Sequence, residues 1–84
     1  MATVISDEQA KQNVAANVLR LLAARGWTQT DLAEAAHENK MMISRICRAE
    51  HVAGVGLLSR IAEALDVSID RLVDSPPEKS KTPA

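Results

Sequence analysis

Residues 28–48 read TQTDLAEAAHENKMMISRICR, and the fold turns on whether this stretch is one helix or two. Thr28 followed by Asp31 has the spacing of a capping box, in which hydroxyl and carboxylate satisfy amides that a helix start leaves unpaired. Leu32, Ala33 and Ala36 then share one face at helical spacing. His37, Glu38 and Asn39 interrupt that face, and Asn39 is itself a good N-cap. A further helix is expected over 40–48, with Met42, Ile43, Ile46 and Cys47 on one side. Met41, Ser44, Arg45 and Arg48 share the other side. The reading is therefore two short helices joined by a three-residue turn, the second apolar behind and cationic in front.

Upstream, Ser6 and Gln9 have capping-box spacing, and Val14, Val18, Leu21, Leu22 and Arg25 recur as a one-sided helical stripe. Gly26 can take the positive φ that closes a helix, so a first helix is expected over 7–25. Downstream, AEHVAGVG reads as a loop because Gly54 and Gly56 are poor helix-interior residues. LLSRIAEAL, with Leu57, Leu58, Ile61, Ala62 and Leu65, reads as a fourth helix. Ser68 caps a short fifth, IDRLVD, whose Ile69, Leu72 and Val73 turn inward. Strand alternation and hairpin turns are missing from the sequence. SPPEKSKTPA holds all three prolines and lacks the apolar residues that would offset ordering it. The expected organisation is all-α: a flexible N-terminus at 1–6, a compact five-helix domain at 7–74 with its two-helix unit at 28–48, and a disordered tail at 75–84.

Composition narrows the class. Eighty-four residues make one small domain. The single aromatic, Trp27, leaves an aliphatic core of closely packed helices. The lone Cys47 cannot form an internal disulfide, which fits a reducing cytosol and a cytoplasmic location. The TVI run is too short for a secretory leader, and no apolar run approaches the ~20 residues of a membrane span. A net charge of −1 argues mildly against nucleic acid, but its distribution is uneven. Residues 20–48 carry five cations (Arg20, Arg25, Lys40, Arg45, Arg48) against three anions, whereas 66–74 carry three anions and one cation.

Two short helices closed by such a turn form the helix-turn-helix arrangement. Its first helix crosses the DNA backbone and its second enters the major groove, where base edges can be told apart. The sequence also resembles the Cro/repressor (XRE) helix-turn-helix family: TQTDLA at 28–33, ISRI at 43–46 and IAEALDVSIDRL at 61–72 follow its pattern over about residues 14–73. The resemblance implies a lambda-repressor-like five-helix DNA-binding domain, encoded by a bacterium or phage and acting on a palindromic operator as a homodimer. By position it places Thr28 and Gln29 at the start of the second helix, with Gln29 on a phosphate. Asn39, Lys40, Met41, Ser44 and Arg45 face the groove, and Arg48 reaches the backbone. Arg45 can grip guanine O6 and N7 with two bonds, and Met41 can touch a thymine methyl. Two turn positions where the family has Gly hold His37 and Ala49. The family's buried Arg–Glu pair falls at Leu22 and Cys47, both apolar, and joint replacement of a buried pair by apolar residues is often neutral or stabilising.

Other chemistry finds little support in the residues. Cys47 has no second thiol nearby and reads as core. His37 and His51 have no acidic or thiol cluster between them, so no metal is expected. Ser44 has no general base at helical spacing, and neither an enzyme nor a cofactor is expected. The apolar margin at Val55, Leu57 and Leu58, together with the fifth helix, is the expected dimer patch. The apolar 52–58 segment, with the near-neutral charge, leaves room for another class of function. That class is a protein-interaction module, such as an antitoxin, whose partner is a toxin or an anti-repressor.

Overall fold

A computed structural model describes residues 6–75. Apart from Ser6 and Ser75, the expected loose ends at 1–6 and 75–84 lie outside the described residues. Five helices follow in order: α1 (Asp7–Arg25), α2 (Gln29–Ala35), α3 (Lys40–Cys47), α4 (Val55–Leu65) and α5 (Ile69–Val73). No strand occurs among the described residues.

The helix starts follow the capping chemistry. The Ser6 hydroxyl accepts from the Gln9 amide at 3.1 Å. Thr28 and Asp31 form the reciprocal box, with Asp31 N–H donating to the Thr28 hydroxyl and Thr28 N–H to the Asp31 carboxylate. Asn39 accepts from the Met42 amide at 2.7 Å. One start differs from the sequence reading: α4 begins at Val55, so Gly56 lies inside a helix and not in a loop. Amides of a first helical turn have no intrahelical partner in any case, and Gly54 is a tolerated N-cap. Its carbonyl accepts the first α4 bond, from Leu58, at 2.9 Å.

The first four helices end in the same way. One residue turns left-handed, its amide bonds the carbonyl three back, and the next amide bonds the carbonyl five back. The left-handed residues are Gly26, His37, Ala49 and Asp66, with φ of 70°, 57°, 59° and 58°. The long bonds that close the ends are Trp27 to Leu22, Glu38 to Ala33, Glu50 to Arg45 and Val67 to Ala62.

The core gathers Val14, Val18, Leu21 and Leu22 of α1, Leu32 and Ala33 of α2, Ile43, Ile46 and Cys47 of α3, Leu58, Ile61, Ala62 and Leu65 of α4, and Leu72 of α5. Helix α1 packs on α3 and α5, and α2 on α3 and α4. Leu22 and Cys47, which occupy the positions of the family's ion pair, are both buried in this cluster. Arg25 is not part of the stripe's apolar side. Its guanidinium donates to the Leu65 carbonyl and lies over the Trp27 ring at 5.6 Å from the centroid, tying the end of α1 to the end of α4.

Two buried polar residues were not anticipated. Asn17 is 1% exposed, and its amide nitrogen donates at 2.8 Å to the carbonyls of both Leu72 and Asp74. Asn13 donates to Val73 O at 2.9 Å and accepts from Gln9 at 2.9 Å. These side chains bind the carbonyls that the end of α5 leaves without helical partners.

Candidate nucleic-acid interface

The face of interest forms where α2 and α3 meet. Ile43, Ile46 and Cys47 are buried and anchor α3 from behind. The opposite side of the same helix presents Lys40, Met41 and Arg45, all exposed, with Ser44 half-buried between them. Met41 is 64% exposed, a large apolar side chain on the solvent side of the helix. Asn39 stands exposed at the head of α3, its side-chain oxygen already committed to the cap. Thr28 is exposed and Gln29 half-buried at the start of α2. The fold therefore brings the sequence-expected positions of α3 onto one helix face, with Thr28 and Gln29 on the neighbouring helix.

Charge pairing separates the cations of this region. Among the described residues neither Lys40 nor Arg45 forms an ion pair, whereas Arg48 meets the Glu50 carboxylate at 3.4 Å. Both side chains of that pair are more than half exposed, and such a pair is weak and readily exchanged for another anion. Among the described residues Arg48 thus has a carboxylate partner in Glu50, while Arg45 has none. Cys47 sits behind this face, and burial pushes its thiol pKa up. It is held as a neutral core thiol, away from the thiolate form that redox or metal chemistry needs.

The expected dimer patch is only partly a surface. Val55 is 75% exposed and Leu57 half-buried, but Leu58 turns into the chain's own core. Val52, 47% exposed, is a second exposed apolar side chain of the 52–58 segment. Arg60 and Glu38 were also missed. They pair across twenty-two positions of sequence, and no local pattern announces a contact of that range.

The geometry is that of two helices joined by a tight turn, the second held by its apolar back. A profile of the helix-turn-helix family matches residues 18–72, from the middle of α1 through Leu72 of α5. The chain belongs to the helix-turn-helix family, of the XRE type. Among solved structures it is similar to a hypothetical transcription factor from Neisseria. The two share 23% identity at a TM-score of 0.77, over 90% of this chain and 88% of that one. No curated protein matches the chain. As a member of this family the chain is a DNA-binding transcriptional regulator. Within its helix-turn-helix, α3 holds the place of the second helix, the one that enters the major groove in this motif. Among the described residues no helix is long and apolar enough to cross a membrane.

Proposed function

We propose that this helix-turn-helix protein is a repressor that binds a palindromic operator as a homodimer, reading bases with α3. The observation that carries the reading is the two-sidedness of α3: Lys40, Met41 and Arg45 stand exposed, the two cations without an ion pair among the described residues, on the side opposite buried Ile43, Ile46 and Cys47. Arg45 takes a guanine edge, Lys40 a guanine or a phosphate, and Met41 a thymine methyl. Asn39 and Ser44 contribute at the margins of the same helix face. Thr28, Gln29 and Arg48 hold phosphates, which set register without choosing sequence. Repression demands least of the chain, because occupancy of a promoter excludes competitors without a further contact.

Selection of bound fragments from a random duplex pool tests the proposal, a palindromic consensus being the expected result. On that site Arg45→Ala is expected to cost about 1–3 kcal/mol and to relax one base position. Arg48→Ala is expected to weaken all duplexes alike and to flatten the salt dependence. Equal preference for every sequence by parent and Arg45→Ala alike would overturn the base-reading role. A second reading, a polypeptide partner such as a toxin or an anti-repressor, is favoured by the exposed valines Val52 and Val55. Its signature is a complex that forms in the absence of DNA and masks those two side chains.

A further inference from the structure

Arg60 stands on α4, outside the helix-turn-helix, yet its side chain reaches both sides of the turn. Its Nε donates to the Ala36 carbonyl, just beyond α2, at 3.2 Å. Its terminal nitrogen donates to one oxygen of the Glu38 carboxylate at 3.1 Å. The other oxygen of that carboxylate accepts from the Asn39 amide at 3.0 Å. Asn39 then caps α3 through the Met42 amide. A continuous run of hydrogen bonds therefore leads from the middle of α4 to the first turn of the groove-facing helix.

We propose that Arg60 is a positioning residue for DNA reading: it fixes the angle at which α3 leaves the turn, and so the placement of Lys40 and Arg45. The inference rests on the groove-reading role proposed for α3. The turn has need of such a brace. It holds His37 in the left-handed region at φ 57°, where a non-glycine residue is disfavoured. Helix α3 is only eight residues long, so its direction depends on its two ends. Two-bond recognition of a base edge tolerates displacement of only about 0.5 Å and rotation of ~10–20°. The Arg60–Glu38 pair is part-exposed, at 46% and 20% for the two side chains. A pair of that kind adds little to global stability, so its loss falls mainly on α3 orientation. Arg60 differs from Arg48 in this respect: its guanidinium is taken up by a carbonyl and a carboxylate that both belong to the turn.

The test compares the full chain with its Arg60→Ala and Arg60→Lys variants. Each is measured on the duplex selected by the parent and on a scrambled duplex, over a range of salt. The expected result for Arg60→Ala is a loss of about five- to tenfold on the selected duplex, no change on the scrambled one, and an unaltered salt slope. Arg60→Lys, which retains the charge but not the two-armed geometry, is expected to recover only part of that loss. Hydrogen exchange in the free protein is expected to quicken at the Asn39 and Met42 amides in Arg60→Ala. Unchanged selectivity overturns the proposal. So does an equal loss on both duplexes with a slope smaller by about one, which marks a direct phosphate contact. If Arg60→Ala does not fold, Glu38→Gln removes the charge that Arg60 grips and carries the same expectations. A parent that selects no sequence defeats the groove-reading role and this proposal with it. A selective parent matched by an equally selective Arg60→Ala removes the Arg60 role alone.

Discussion

Ala49 stands at φ 59° with only a methyl group to set against the strain. A left-handed L-residue costs roughly 1–2 kcal/mol because its Cβ crowds the following carbonyl, and Ala has no polar side chain that could bond locally in return. Asp66, at φ 58°, belongs to the residues that visit this region more readily, and His37 lies between the two. All three close a helix in the way that Gly26 closes α1. Ala49→Gly is therefore expected to raise stability by about 0.5–1 kcal/mol, part of the strain relief being cancelled by the greater freedom of Gly in the unfolded chain. His37→Gly should follow, and Asp66→Gly should gain least. Urea unfolding of the three variants gives the order, and a destabilised Ala49→Gly would show that the methyl packs to more effect than the strain costs. Gly26 was legible as a helix end because glycine advertises its conformational freedom. His37 and Ala49 stood out only against the family's glycines, and Asp66 did not stand out at all. Nothing in an isolated His, Ala or Asp marks it as left-handed until the hydrogen bonds around it are seen.

Among the elements, α5 is the one whose attachment the apolar pattern explains least. It is five residues long, far below the length at which a helix persists in water, and Leu72 is its one fully buried side chain. What holds its C-terminal end is polar: Asn17 grips the Leu72 and Asp74 carbonyls and Asn13 the Val73 carbonyl. Asn17→Ala strands those carbonyls in a site where Asn17 itself is 1% exposed. The expected cost is about 1–3 kcal/mol, with hydrogen exchange rising first in α5. Asn17→Leu should be no better, because an apolar side chain leaves the same carbonyls unpaired. Thermal unfolding that leaves Asn17→Ala within ~0.5 kcal/mol of the parent would mean that water replaces the asparagine at no cost. Four helices were placed within one residue by caps and periodicity. The start of α4 moved because Gly56 could enter its first turn, where no intrahelical amide bond is lost. Asn13 and Asn17 escaped notice although they flank Val14 and Val18 on the inward side of α1. A search for apolar stripes passes over polar residues, whereas the backbone ends they satisfy lie more than fifty positions away.

For the molecule as a whole, the proposed reading face is small, and one copy of α3, eight residues long, would cover only part of a groove turn. The proposed homodimer would double it, with half-sites about 34 Å apart on one side of the duplex. A surface that would join two copies is the least legible feature of all, since an exposed valine has no meaning until its partner is named. Of the expected patch, Leu58 is buried in the core, whereas Val55 is 75% exposed, and Val52, three residues before it, is 47% exposed. Val55 is the first residue of α4, where an acidic side chain is favourably placed against the helix dipole. Val55→Asp should therefore fold as the parent does while placing a charge in the proposed dimer contact. Sedimentation equilibrium is expected to show monomer for the variant where the parent is dimeric. Affinity for the full palindrome should fall by at least about tenfold, because the second half-site no longer gains from being tethered to the first. Affinity for an isolated half-site should not change, which separates a lost subunit contact from simple repulsion of DNA by the new carboxylate. A Val55→Asp protein that remains dimeric and holds the palindrome as tightly as the parent would place the subunit contact elsewhere on the fold.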